Sequence, residues 1–111
     1  MTNFEFGTVV LIRFPQSGTN ARKQRPGIVM LDIGDLDLVI APVTSKARSQ
    51  PGDISLADLK GSGLIRSPWV RLAKVATLLK PDVVRVLGRV SSQERNELTR
   101  SWQTLYGNFV S

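Results

Sequence analysis

The chain contains no cysteine and no histidine. Without thiols there is no disulfide framework and no thiolate metal site. Without imidazole there is no Ser-His-Asp or Cys-His catalytic arrangement, no His-ligated metal and no side chain that titrates near neutrality. Any chemistry must come from Arg, Lys, Asp, Glu, Thr, Ser or Tyr, and no metal or cofactor is expected. Long apolar runs are also missing. None approaches the roughly 20 residues that span a bilayer, and the first six residues lack the basic and apolar regions of a signal peptide. A cytoplasmic protein with no membrane contact is the expectation. Acidic residues are scarce: nine Asp and Glu against fifteen Lys and Arg give a net charge of +6. Ten of those cations are arginine, whose planar fork grips phosphate. Such a balance points towards a polyanionic partner, although a net charge of about 2–8 is ordinary for small soluble domains.

With 111 residues, 41% of them hydrophobic, the chain has room for one domain over 1–111, and a dimer hiding further apolar surface would aid so small a core. Residues 8–14 form a β-branched, apolar run ending at Pro15, which reads as a strand. Residues 15–26 read as a long polar loop, with Pro15, Ser17, Gly18 and a basic cluster at Arg22, Lys23 and Arg25; such loops carry function. Strands are expected at 27–31 and 36–43 around a hairpin turn, then at 53–56, 69–72 and 83–90, with Gly61-Ser62-Gly63 as a flexible link. From Ser91 the period changes. Ser91-Ser92-Gln93-Glu94 fits a capping box in which Glu94 reaches back. Leu98, Trp102, Leu105 and Phe109 then fall on one helical stripe, predicting an amphipathic helix whose Trp102 and Phe109 are core residues. Several short strands and one helix argue for a mainly β fold, a small barrel with a C-terminal helix.

Two positions at strand–loop junctions draw attention. Arg25 precedes Pro26-Gly27, and Pro26 biases it towards an extended conformation. Thr44 and Ser45 close the run Ala41-Pro42-Val43. If the two strands are neighbours, a guanidinium and two hydroxyls meet at one rim and can hold a phosphodiester. Spacing alone equally allows a surface arginine and a turn-forming Thr-Ser pair.

The order of motifs resembles the MazF/PemK toxin family. The pieces are Gly7, Phe14-Pro15, Arg25-Pro26-Gly27, Pro42-Val43-Thr44-Ser45, Gly52-Asp53, Gly63-Leu64, Ser67 with Arg71, and the helix from Ser91. The resemblance implies an SH3-like barrel homodimer, the toxin of a toxin–antitoxin pair, that cleaves single-stranded RNA without metal. In that family the ribose 2′-hydroxyl attacks the adjacent phosphate, leaving a cyclic phosphate and a 5′-hydroxyl. Arg25 and Thr44 take the places of its catalytic pair. Arg25, permanently charged, suits charge stabilisation or proton donation rather than base work; Thr44 would anchor the phosphate and Ser45 would add a second bond. Asp53 is a candidate base, though Gly52-Asp53 also reads as a turn. Some members pair a loop His with an Asp two residues after the later Arg; here there is no His and that position is Ala73.

Thr19, Asn20, Arg22, Lys23 and Gln24 form a polar loop suited to phosphates and base edges. Ser67, Trp69 and Arg71 are further candidates for RNA contact: Trp69 by stacking, or equally as a barrel-wall residue, and Arg71 by phosphate binding. A cognate antitoxin with an acidic segment that folds on binding is the implied protein partner. Two other readings stand: a CcdB-like gyrase inhibitor, which shares the barrel, and a nucleic-acid-binding barrel that does not cleave.

Overall fold

The structure, a computed structural model, describes residues 2–16 and 18–110. Ser17 of the expected loop, and the first and last residues of the expected 1–111 domain, lie outside the described residues. Among the described residues, seven strands and one α-helix run in the order β1 (Thr8–Pro15), β2 (Arg22–Leu31), β3 (Asp37–Thr44), β4 (Asp53–Ser55), β5 (Trp69–Arg71), β6 (Ala76–Leu79), β7 (Val83–Arg89) and α1 (Ser92–Val110). All strand pairs are antiparallel, in the path β4-β5-β3-β2-β1-β7, with β6 also against β3. This is a mainly β, barrel-like fold with a C-terminal helix, although no ladder joins β4 to β7 among the described residues. Register shifts between β1 and β7, and between β2 and β3, add the local bend and twist that curl the sheet.

Both faces of the central strands are covered. Val9, Ile28 and Ala41 belong to one buried cluster, completed by Val70, Leu72 and Leu98. Their chain neighbours Val10, Val29 and Ile40 belong to a second, with Ile12, Phe14 and Leu38. Alternate side chains point to opposite faces of a strand, so a continuous apolar run is the pattern of a strand buried on both sides. Each fully buried Ile or Leu stabilises the fold by about 1.5–3 kcal/mol.

Several expectations change. The loop expected at 15–26 ends early: β2 begins at Arg22, and Arg22 to Arg25 pair with Pro15 to Ile12. These residues are polar and exposed, so side-chain pattern carries no trace of a ladder made by the backbone alone. β6, unexpected, pairs Ala76 to Leu79 with Ile40 to Asp37. Ser62 of the expected flexible link is fully buried; its hydroxyl donates to the Leu59 carbonyl at 2.7 Å and accepts from the Leu64 N–H at 3.0 Å.

The helix starts as expected, with the Ser91 hydroxyl accepting from the Glu94 N–H at 3.2 Å. The Glu94 carboxylate does not reach back: it is buried and accepts from the N–H groups of Ala57 and Asp58 at 3.2 and 3.0 Å, tying α1 to the segment after β4. Leu98 is fully buried, but Trp102 is 38% and Phe109 70% exposed, correcting the expectation that both lie in the core. Fully buried apolar packing in α1 stops at Leu98, although the partly buried Leu105 still packs against the same cluster. On either side of Leu105, which lies against Gly52, Trp102 and Phe109 line an open hollow with Pro51, Ala73, Lys74 and Tyr106.

Candidate nucleic-acid interface

Gly27 explains how β2 approaches β3. A Cβ there would overlap the Ile40 methyl group and lie 3.4 Å from the Phe14 ring, so the Arg-Pro-Gly glycine serves close packing between the strands. The β2–β3 ladder runs as far as Gly27↔Pro42 and stops. Neither Pro26 nor Pro42 has an N–H to donate. Continuing that register sets Arg25 opposite Thr44. Each is held from its outer side instead: Arg25 pairs with Ile12 of β1, and Thr44 with Trp69 of β5.

Two hollows meet at this unzipped end, and both are lined by Arg25, Val43, Thr44 and Arg48. The first, about 520 Å³, continues along Lys23, Ser45, Lys46 and the wall Gly63-Leu64-Ile65-Arg66, with Pro68 and Leu87. The second, about 630 Å³, continues along Phe14, Pro15, Gln16, Arg71, Lys74 and Ala76. Among the described residues, seven different Lys and Arg line the pair, and no Asp or Glu does. A cleft walled by one sign of charge focuses the field and concentrates anions.

The cations at the centre are uncommitted. Among the described residues, Lys23, Arg25, Lys46, Arg48, Arg66 and Lys74 make no side-chain ion pair or hydrogen bond. Arg71 is partnered, its Nε donating to Asp53 Oδ1 at 3.1 Å. The Thr44 hydroxyl accepts from the Lys46 N–H at 3.2 Å, which orients the oxygen and leaves its hydrogen free to donate.

The remaining expected residues fall in different places. Thr19 and Asn20 are exposed in the β1–β2 connection, and the Thr19 hydroxyl is occupied by the Ala21 N–H at 3.1 Å. Arg22 pairs with Asp82 at 2.6 Å, and Gln24 lies opposite Arg13; none of these four lines either hollow. Lys23 and Ser45 line the first hollow and Arg71 the second. Ser67 is exposed and Trp69 half-buried, both outside the linings. Asp53 also lies outside them: its carboxylate, 1% exposed, holds Arg71 with one oxygen and the Gln50 N–H with the other, at 2.9 Å.

The structure adds Lys46, Arg48, Arg66 and Lys74. Lys46 and Arg48 follow Thr44-Ser45 directly, and the reasoning applied to the cluster at 22–25 would have found them. Arg66 and Lys74 carry no sequence signal of their own; only the fold brings them to the rim.

A family model for the PemK-like, MazF-like toxin of type II toxin–antitoxin systems matches residues 5–105. Among curated protein sequences, none matches this one. Solved structures do. An endoribonuclease from Mycobacterial species is 17% identical, with a TM-score of 0.75 over 96% of this chain and 94% of the other. An endoribonuclease in complex with its cognate antitoxin, also from Mycobacterial species, is 19% identical, with 0.73 over 92% and 93%. MazF from Deinococcus radiodurans is 21% identical, with 0.73 over 96% and 99%. At these identities the likeness speaks for the fold.

Proposed function

This chain belongs to the PemK-like, MazF-like toxin family of type II toxin–antitoxin systems, and from that premise we propose that it is a metal-independent endoribonuclease acting on single-stranded RNA. The observation that carries the reading is the convergence of Arg25 and Thr44, far apart in sequence, on the shared lining of two basic hollows. A strand of RNA laid through both places its scissile phosphate at their junction. The Thr44 hydroxyl donates to a non-bridging oxygen. Arg25 opposes the charge that builds as the 2′-hydroxyl attacks phosphorus and the 5′-oxygen leaves. The products are a cyclic phosphate and a 5′-hydroxyl. Endoribonucleases among the solved structures of this fold agree with this reading.

Neither His nor Cys occurs in the chain, and among the described residues no carboxylate lines the hollows. The usual oxygen ligands of a divalent cation are therefore lacking at the junction, and so is a side-chain base titrating near neutrality. The 2′-hydroxyl proton goes to solvent, which returns one to the departing 5′-oxygen, and Asp53 acts through Arg71 rather than on substrate. Ser45 adds a second donor in the first hollow, and Arg71 holds a neighbouring phosphate in the second.

Two protein partners complete the proposal. A cognate antitoxin, as crystallised with one of the similar structures, presents an acidic segment to the cationic hollows. A second copy covers the exposed Trp102, Tyr106 and Phe109 on the last turns of α1; sedimentation of Phe109→Ser as a monomer, against a wild-type dimer, is the expected result.

The deciding experiment incubates an unstructured RNA with wild type and Arg25→Ala in EDTA. Discrete cuts with wild type, ending in cyclic phosphates, and their loss with the variant are expected. A wild type that leaves RNA whole but arrests gyrase overturns the assignment in favour of the CcdB-like alternative.

A further inference from the structure

The wall of the first hollow has a construction that phosphate holding does not require. Arg66 has a φ of 65°, the only non-glycine in the left-handed region among the described residues. Such a conformation costs of order 1–3 kcal/mol and persists where surrounding structure imposes it. The imposing contacts are present. Gly63 also has a positive φ, 74°, and a Cβ on it would overlap the Leu87 carbonyl. Leu64 is buried and Ser62 is bonded on both sides. From this anchored stretch Ile65 projects at 75% exposure, an apolar side chain held in water at the mouth of a basic hollow.

We infer that Ile65 and Arg66 are a base-reading wall, contacting the nucleobase beside the scissile phosphate and choosing which RNA sequences are cut. The inference rests on the endoribonuclease reading and adds its specificity. Ile65 offers an apolar surface to the face of the base, over the floor of Leu64 and Leu87. Arg66 offers only donors, and among the described residues no carboxylate lines this hollow to accept from an exocyclic amino group. The wall therefore suits the keto bases: the guanine edge with O6 and N7, which arginine bridges, and the carbonyls of uracil. Adenine and cytosine present an amino group to the same donors.

The test compares wild type, Ile65→Ser and Arg66→Gly on single-stranded RNA randomised at the nucleotides flanking the cut, in EDTA, with sequencing of the cut ends. Both residues are exposed, and glycine accepts the left-handed conformation, so both variants keep their fold, checked by thermal melting. Wild type is expected to favour G or U at one flanking position. Arg66→Gly should lose about tenfold or more of that preference, the scale of one bidentate contact, on top of any uniform fall in cutting that the loss of one cation from the hollow brings. Unchanged preferences in both variants overturn the base-reading wall and leave the nuclease standing. Complete loss of cutting by folded Arg66→Gly overturns it as well, because the residue then serves the phosphate. A wild type that cuts no RNA removes the reading beneath it.

Discussion

Arg25 and Thr44 stand at matching positions on neighbouring strands, two residues beyond Gly27 and Pro42, the last pair that the β2–β3 ladder joins. Each is gripped from outside by another strand, and both line the same two hollows. A continuous ladder would close this gap with backbone hydrogen bonds. Proline on both strands leaves it open, so a rigid sheet carries a basic opening at its frayed seam.

Thr44→Val keeps the β-branched shape that suits a strand and removes only the hydroxyl. Its kcat should fall about 100- to 1000-fold, the range for losing one donor to a developing oxyanion, with KM changing far less. Single-turnover cleavage at saturating protein reads this directly. A variant as fast as wild type removes Thr44 from the reaction.

Asp53→Asn separates a structural carboxylate from a catalytic base. The native carboxylate is buried against Arg71 and the Gln50 N–H. Loss of its charge should destabilise the protein by about 1–3 kcal/mol, measured in denaturant. The folded variant should keep its cleavage rate within a few-fold, together with the pH profile of wild type. Disappearance of an acidic limb from that profile, with stability intact, would make Asp53 the base.

Gly27→Ala pushes a methyl group into Ile40 and the Phe14 ring. Overpacking of this kind costs about 1–3 kcal/mol, and the strain falls one residue from Pro26 and two from Arg25. Both the melting temperature and cleavage should drop. An unchanged melting temperature would show that β2 and β3 separate freely.

Asp32 should contribute to the acid limit of stability. Its carboxyl titrates below the usual carboxylate range, chiefly because the Phe4 N–H donates to it at 2.7 Å. Burial opposes the shift; the Gly34 N–H and the Lys80 ammonium, 3.0 Å away, add to it. A folded pKa below the unfolded one means that the unfolded chain binds the proton more readily. The contribution is therefore complete above the unfolded pKa of about 4 and is lost as the pH falls through the lower folded value. Denaturant midpoints between pH 6 and 2 should drop over that acid window in wild type. Asp32→Asn should start lower and show a shallower fall. Parallel curves for the two proteins would assign acid unfolding to other groups.

The MazF/PemK order of motifs, the mainly β fold and the capped C-terminal helix were all legible in the chain, because strand runs, caps and turn residues are local properties. So were the short pieces Arg25-Pro26-Gly27 and Pro42-Val43-Thr44-Ser45, each adjoining an apolar run. Less legible was how α1 divides. Trp102 and Phe109 share the stripe of Leu98, yet periodicity reports only that a face is apolar, not how far the sheet beneath it extends. Glu94 had the spacing of a capping box, but two N–H groups delivered from residues 57 and 58 competed for its carboxylate and won.

The amino-acid sequence by itself determined the exclusions and the parts: no imidazole, no thiol, an excess of arginine, and two short motifs able to hold a phosphodiester. These follow from residue identity and near-neighbour geometry. Only the tertiary structure decided which cations meet. It drew Asp53 onto Arg71 and Arg22 onto Asp82, and brought Arg48 and Arg66 to the hollow beside Arg25. The physical reason is that a charge acts over a few ångströms of space, and the neighbours that neutralise it or leave it free are set by strand pairing between distant segments.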